Sequence, residues 1–175
     1  MPTTKTTTQT VRIRGKRVRL VTRNGKVTIK SAPVLEIDLQ AAAVRRLKAM
    51  PEFVSDADDV RPGMFTLAAD QNGSGVRGFN TAAKLKAAGM AAGEPDLRLY
   101  IFGGRLASLE FKGERGKLEA SQELRFPLLR ALGFTVEVVE AKAEDEAADK
   151  AEAAVRGWLA ANDNEAPKES YRAAR

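Results

Sequence analysis

In DLRLYIFGGRLASLEFK, residues 96–112, two apolar runs flank a Gly103-Gly104 pair. Runs of this length, rich in Leu, Ile, Tyr and Phe and broken by glycines, predict two buried strands joined by a tight turn. Polar groups stand where such strands should be apolar. Asp96 opens the first run directly after Pro95, and Glu110 and Lys112 lie two residues apart near the end of the second. Period two puts Glu110 and Lys112 on one face. Folding back at the glycine pair brings Asp96 close to Glu110 across the ladder. Two carboxylates and one ammonium therefore converge at one point of a sheet.

Outward from this hairpin the pattern alternates. On the C-terminal side GERGK is a loop, and residues 118–131 have helical character closed by Gly133. FTVEVVE at 134–140 predicts a strand, and EDEAADKAEAAVRGWLAA an amphipathic helix whose acidic start suits the helix dipole. Trp158, Phe126 and Phe134 are expected in the core. On the N-terminal side TAAKLKAAGM (81–90) predicts a short helix, QNGSGVRGFN (71–80) a loop, and FTLAAD (65–70) a strand. An acidic loop, PEFVSDADDVRPG, precedes these. Residues 34–50 place Leu35, Leu39, Val44 and Leu47 near helical spacing before Pro51, predicting a helix. Consecutive strands followed by a crossover helix and one more strand make an α/β fold with a mixed sheet flanked by helices.

The N-terminus differs in kind. Residues 1–30 hold nine Lys or Arg and no Asp or Glu, whereas the rest carries 20 basic against 23 acidic residues. The net charge of +6 is therefore a local property. Residues 1–10 are polar and expected to fray. Through VRIRGKRVRLVTRNGKVTIK apolar and basic residues alternate, and Asn24-Gly25 suits a type I′ turn. A β-hairpin with one cationic face follows. Its basic face either meets an anionic partner, nucleic acid foremost, or is a solvated face that binds nothing. The organisation expected is a basic arm over 1–30, a domain over 31–161, and a polar disordered tail over 162–175.

Composition narrows the chemistry. The chain has no cysteine and no histidine. Disulfides, thiolate metal sites and imidazole bases are excluded, leaving carboxylates, lysine, arginine, hydroxyls or a hard metal ion held by oxygen, with magnesium or manganese the best match. No apolar run approaches a bilayer span, and the N-terminus has no apolar signal-peptide core.

A Glu-x-Lys on a strand is by itself common. Five short motifs in order are more specific: Gly93-x-Pro95-Asp96, Gly103-Gly104-Arg105, Glu110-x-Lys112, Gly116-x-Leu118 and Gln122. From about Glu36 to Trp158 the chain resembles the VRR-NUC domain, the virus-type replication-repair nuclease branch of the PD-(D/E)XK superfamily. The resemblance implies a restriction-endonuclease-like αβββαβ core and a magnesium- or manganese-dependent deoxyribonuclease. Asp96 and Glu110 match the metal-binding carboxylates, and Lys112 the family lysine. Gln122 matches a glutamine that positions the lysine or a phosphate. The backbone carbonyl of Phe111 is a further candidate metal ligand. Glu36, with Gln40 one turn later, resembles the family's first-helix pair, which makes Glu36 a candidate ligand too.

Candidate DNA contacts are Arg12, Arg14, Lys16, Arg17 and Arg19 on the arm, Arg77, Lys84 and Lys86 before the central hairpin, and Arg115 and Lys117 after it. Two positions depart from the family pattern. Glu94 replaces a small or apolar residue and is read as extra negative charge beside the metal. Glu119 replaces a capping Ser or Thr, so the helix start is expected to shift. Compact members of the family are typically phage-encoded homodimers acting on flaps or junctions. The resemblance thus implies branched DNA as substrate and the cytoplasm of a bacterium or infected host cell as location. The competing expectation is a non-catalytic nucleic-acid-binding module on the same fold.

Overall fold

The computed structural model describes residues 6–13, 16–69, 84 and 87–161. The chain forms two compact units, Met1–Leu35 and Glu36–Arg175. The expected 71–80 loop, most of the 81–90 helix and the 162–175 tail lie outside the described residues.

The first unit is a three-stranded antiparallel sheet in the order β1 (Thr6–Ile13), β2 (Lys16–Arg23) and β3 (Lys26–Ser31). It is larger than the hairpin expected. Thr6–Thr10, read from sequence as frayed, pair with Arg19–Arg23. Threonine favours strands, and β2 offers these residues a free ladder. The β2–β3 turn is as expected, with Asn24 at φ 51 and Gly25 at φ 75. The register pairs Arg19 with Lys30 and Arg23 with Lys26. With period two, Arg17, Arg19, Arg23, Lys26 and Lys30 then share one face. The other face is apolar, and it is open at Ile13, Val27 and Ile29.

The second unit is a mixed sheet in the order β4 (Phe65–Ala69), β5 (Leu97–Ile101), β6 (Arg105–Gly113) and β7 (Thr135–Ala141). The first three strands are antiparallel, and β7 runs parallel to β6. A parallel neighbour needs a crossover, supplied by helix α2 (Ala120–Ala131). Helix α1 (Glu36–Lys48) packs on β6, and helix α3 (Glu144–Ala160) packs on α1 and β7. The mixed sheet flanked by helices that the sequence predicts is the sheet found.

The core lies on β6, buried continuously from Ala107 to Lys112. Leu39, Ala43 and Leu47 of α1 and Ala147, Ala151 and Val155 of α3 are fully buried. Small alanines where α1 meets α3 let the two helices approach closely. Leu35, expected on the first helix, lies just before it and is 45% exposed, because α1 begins only at Glu36. Of the aromatics expected in the core, Trp158 is half-buried. Phe134 is 39% exposed, standing between Gly133 and β7 at the rim of a cavity shared with Arg105 and Trp158. Phe126 is fully buried, as expected.

Candidate active site

Beyond the last ladder pair, Leu97 with Leu109, one further residue on each strand reaches Asp96 and Glu110. The two carboxylates face each other where β5 begins. Asp96 is fixed from two sides. Its Oδ2 accepts from the Phe111 backbone N–H at 2.9 Å, and its carbonyl accepts from Gln40 Nε2 at 3.1 Å. The glutamine one turn into α1 thus holds the turn that carries the aspartate.

Glu110 is 1% exposed. Its Oε1 lies 2.6 Å from Lys112 Nζ and accepts from Gln122 Nε2 at 2.7 Å. Its Oε2 is buried without a hydrogen-bond partner. Burial, with the charge of Asp96 added, outweighs the lysine and glutamine and raises the Glu110 pKa above the ordinary glutamate value. Burial alone would lower the Lys112 pKa. The hydrogen bond and charge of Glu110, with the charges of Glu36 and Asp96, reverse this and raise it. Lys112 is therefore an ammonium at neutral pH, held by Glu110 and, at 3.6 Å, by Glu36 Oε2.

Gln122 is set by its own helix. Glu119 is the N-cap of α2, and its backbone N–H donates to Gln122 Oε1 at 2.9 Å. The amide oxygen is thereby committed to the helix start, and the NH₂ must point at Glu110. Glu119 occupies the cap although it is not Ser or Thr, because the reciprocal half of the capping box comes from Gln122.

Gly93 makes this approach of elements feasible. It sits at φ 82, and a Cβ there would lie 2.5 Å from the backbone C and O of Ser121 and 2.9 Å from the Gln122 nitrogen. The turn before Asp96 therefore lies directly on the first turn of α2. Gly116 is close in the same way to Glu36, where a Cβ would lie 2.9 Å from Oε1.

Glu36, Glu94, Asp96, Glu110, Lys112, Glu119 and Gln122 line one cleft of about 270 Å³. Five carboxylates and a single ammonium face it among the described residues. Glu94 is not the extra free charge expected. Its Oε2 meets Arg98 at 2.7 Å and its Oε1 accepts from Arg125 Nε at 2.6 Å. These two guanidiniums overcome burial and lower its pKa. The pairing escaped the sequence reading because Arg125 is 31 residues away on another element.

The donor set suits a hard cation. Glu110 Oε2 is a buried oxygen in need of a partner, beside a second carboxylate. Among the described residues no group of three or more acidic side chains is placed to hold a metal ion by itself. Magnesium commonly binds through one or two carboxylates and keeps several waters. Glu36 is engaged with Lys112 rather than with Glu110.

The chain is similar to a solved structure described as a VRR_NUC domain protein. The identity is 19% and the TM-score 0.50, covering 69% of this chain and 88% of that one. At that identity the likeness concerns the fold. No protein-family model and no curated protein matches the chain.

The remaining residues expected to meet DNA fall on both units. Lys84, Arg115 and Lys117 are exposed, and Arg17 and Arg19 stand on the cationic face of the first unit. Arg14, Arg77 and Lys86, and the side chains of Arg12 and Lys16, lie outside the described residues. No helix among the described residues is long and apolar enough to cross a membrane.

Proposed function

We propose that the protein is a metal-dependent nuclease that hydrolyses DNA phosphodiester bonds in the cleft around Asp96, Glu110 and Lys112. The observation that carries this reading is the buried Glu110, its Oε2 without a partner, set between Asp96 and an ammonium on a nuclease-like fold. Asp96 and Glu110 would hold magnesium or manganese, with the Phe111 carbonyl and Glu36 as further candidates. Such an ion, when bound, polarises the phosphodiester and makes water a nucleophile at neutral pH. Gln122 keeps Glu110 Oε1 in place and leaves Oε2 for the cation. Lys112, an ammonium, donates to the attacking water or to a phosphate oxygen and offsets the negative charge that grows there. Water attacks phosphorus and gives up a proton to solvent, the P–O bond to the leaving sugar oxygen breaks, and that oxygen takes up a proton from solvent.

The preferred substrate in this proposal is branched DNA, a flap or a four-way junction, cut by a homodimer whose two sites act on two strands. The experiment is cleavage of labelled linear, flap and junction DNA with magnesium, manganese or EDTA, for the wild type and Lys112→Ala. Metal-dependent cutting is expected in the wild type only, falling by roughly 100-fold or more in the variant, as when other preorganised charge stabilisers are removed. Tight binding with no cutting in any metal would favour the non-catalytic module, in which the 2.6 Å Lys112–Glu110 pair simply neutralises itself.

The cationic face of the first unit is the proposed DNA-binding surface. Removing residues 1–30 should weaken binding and flatten its salt dependence, because each phosphate that the arm no longer neutralises takes about 0.9 from the log–log slope. A binding titration between low and moderate salt reads this directly. An unchanged slope would mean that the face meets no nucleic acid.

A further inference from the structure

We infer that Glu94 is a positioning residue that ties the Asp96 turn to helix α2 through Arg125 and to strand β5 through Arg98. It acts as a clamp, not as an added charge beside the metal. The inference rests on the proposed nuclease reading for its consequence and on geometry alone for its substance.

Three interactions converge on this turn. Gly93 lies against the Ser121 and Gln122 backbone so closely that no Cβ fits. Glu94, next in sequence, gives one carboxylate oxygen to Arg98 at 2.7 Å and the other to Arg125 at 2.6 Å. Asp96, two residues on, receives the Phe111 N–H. Arg125 follows Gln122 by three residues, so the two are neighbours on α2. The Glu94–Arg125 pair therefore joins the aspartate's turn to the same helical turn that aims Gln122 at Glu110. If the clamp opens, only the Phe111 and Gln40 hydrogen bonds hold Asp96 against Glu110, and the separation of the two carboxylates varies more.

The Glu94 side chain is only 12% exposed, and those of Arg98 and Arg125 about 30%. Water thus competes weakly for the bonds. An isolated surface ion pair would have no such leverage. A glutamine at this position keeps the shape but accepts weakly through one oxygen and cannot bridge two guanidiniums.

The test has two arms. Amide hydrogen exchange at Phe111, in the metal-free full chain, reports directly whether Asp96 Oδ2 stays in place. Glu94→Gln is expected to speed that exchange by about tenfold or more, with global unfolding followed in parallel to show that the change is local. Arg125→Gln, which opens the α2 side of the clamp alone, should speed it by a smaller factor. In the second arm, Glu94→Gln should lower the cleavage rate by about tenfold and raise the magnesium concentration for half-maximal rate, with DNA affinity in EDTA nearly unchanged. Phe111 exchange identical to wild type would overturn the clamp whether or not the protein cuts DNA. So would DNA binding that tightens in Glu94→Gln with cleavage intact, the result for a mere added charge. A wild type that cuts nothing, with Phe111 exchange still accelerated in the variant, would sink the nuclease reading and leave the clamp standing.

Discussion

Glu110→Gln should reduce metal-dependent cleavage by at least about a thousandfold while DNA binding is kept or strengthened. Removing one preorganised electrostatic group costs up to about a thousandfold, and here the group is proposed to hold the metal as well as to anchor Lys112. Binding should not suffer, because the substitution takes a negative charge out of a cleft lined mostly by carboxylates. Asp96→Asn should behave in the same way. A variant at either position that cut DNA at the wild-type rate would end the assignment. The same substitution has a signature in stability. The folded state raises the Glu110 pKa, so it holds that proton more tightly than the unfolded chain does. The associated stability is present below the ordinary glutamate value and is lost as pH rises through the raised one. In EDTA the wild type should therefore lose stability on passing from acid toward neutral pH. Glu110→Gln should lose that component of the slope, and magnesium should suppress it in the wild type. Denaturant midpoints across this range would show it.

Gly93→Ala should be among the most damaging methyl additions in the molecule. Left-handed backbone costs an L-residue about 1–2 kcal/mol. Overpacking adds about 1–3 kcal/mol where the obstacle cannot move, and here the obstacle is the backbone of Ser121 and Gln122. A total of roughly 2–5 kcal/mol corresponds to a fall in Tm of about 5–15 °C for a chain of this size. Gly104→Ala is the matched control. It has a similar φ of 77 but nothing within 4 Å of its Cβ, so it carries the conformational cost alone. Equal Tm losses in the two variants would show that the close approach of the Gly93 turn to α2 is not a constraint.

What could be read in the sequence was whatever repeats with a short period. The β5–β6 hairpin announced itself by apolar runs around two glycines. Period two placed Glu110 and Lys112 together on a face that is now seen to be buried. Among the described residues of the second unit the strand and helix limits fell within one or two residues, and Pro51 and Gly133 punctuate the chain there. Thr6–Thr10 stayed hidden because a row of threonines has strand propensity without apolar alternation. Its pairing depends on the exposed ladder of β2. The Glu94–Arg98–Arg125 cluster was equally invisible, since nothing local says that a glutamate before Pro95 will meet a helix 31 residues later. Gln40 was suggested only by resemblance. Its bond to the Asp96 carbonyl spans 56 residues and depends on how α1 packs.

The parallel pairing of β6 with β7 bears on when the cleft is assembled during synthesis. An antiparallel hairpin zips from its turn within microseconds. A parallel strand must wait until its crossover helix and the far strand have been synthesised. Glu110 and Lys112 pair in register with Val138 and Glu140, and Gln122 arrives only on the intervening helix. A nascent chain emerging N-terminus first therefore carries Asp96, Glu110 and Lys112 out of the ribosome before Gln122 and β7 arrive to complete their surroundings. The order of translation thus delays the complete cleft until β7 has emerged.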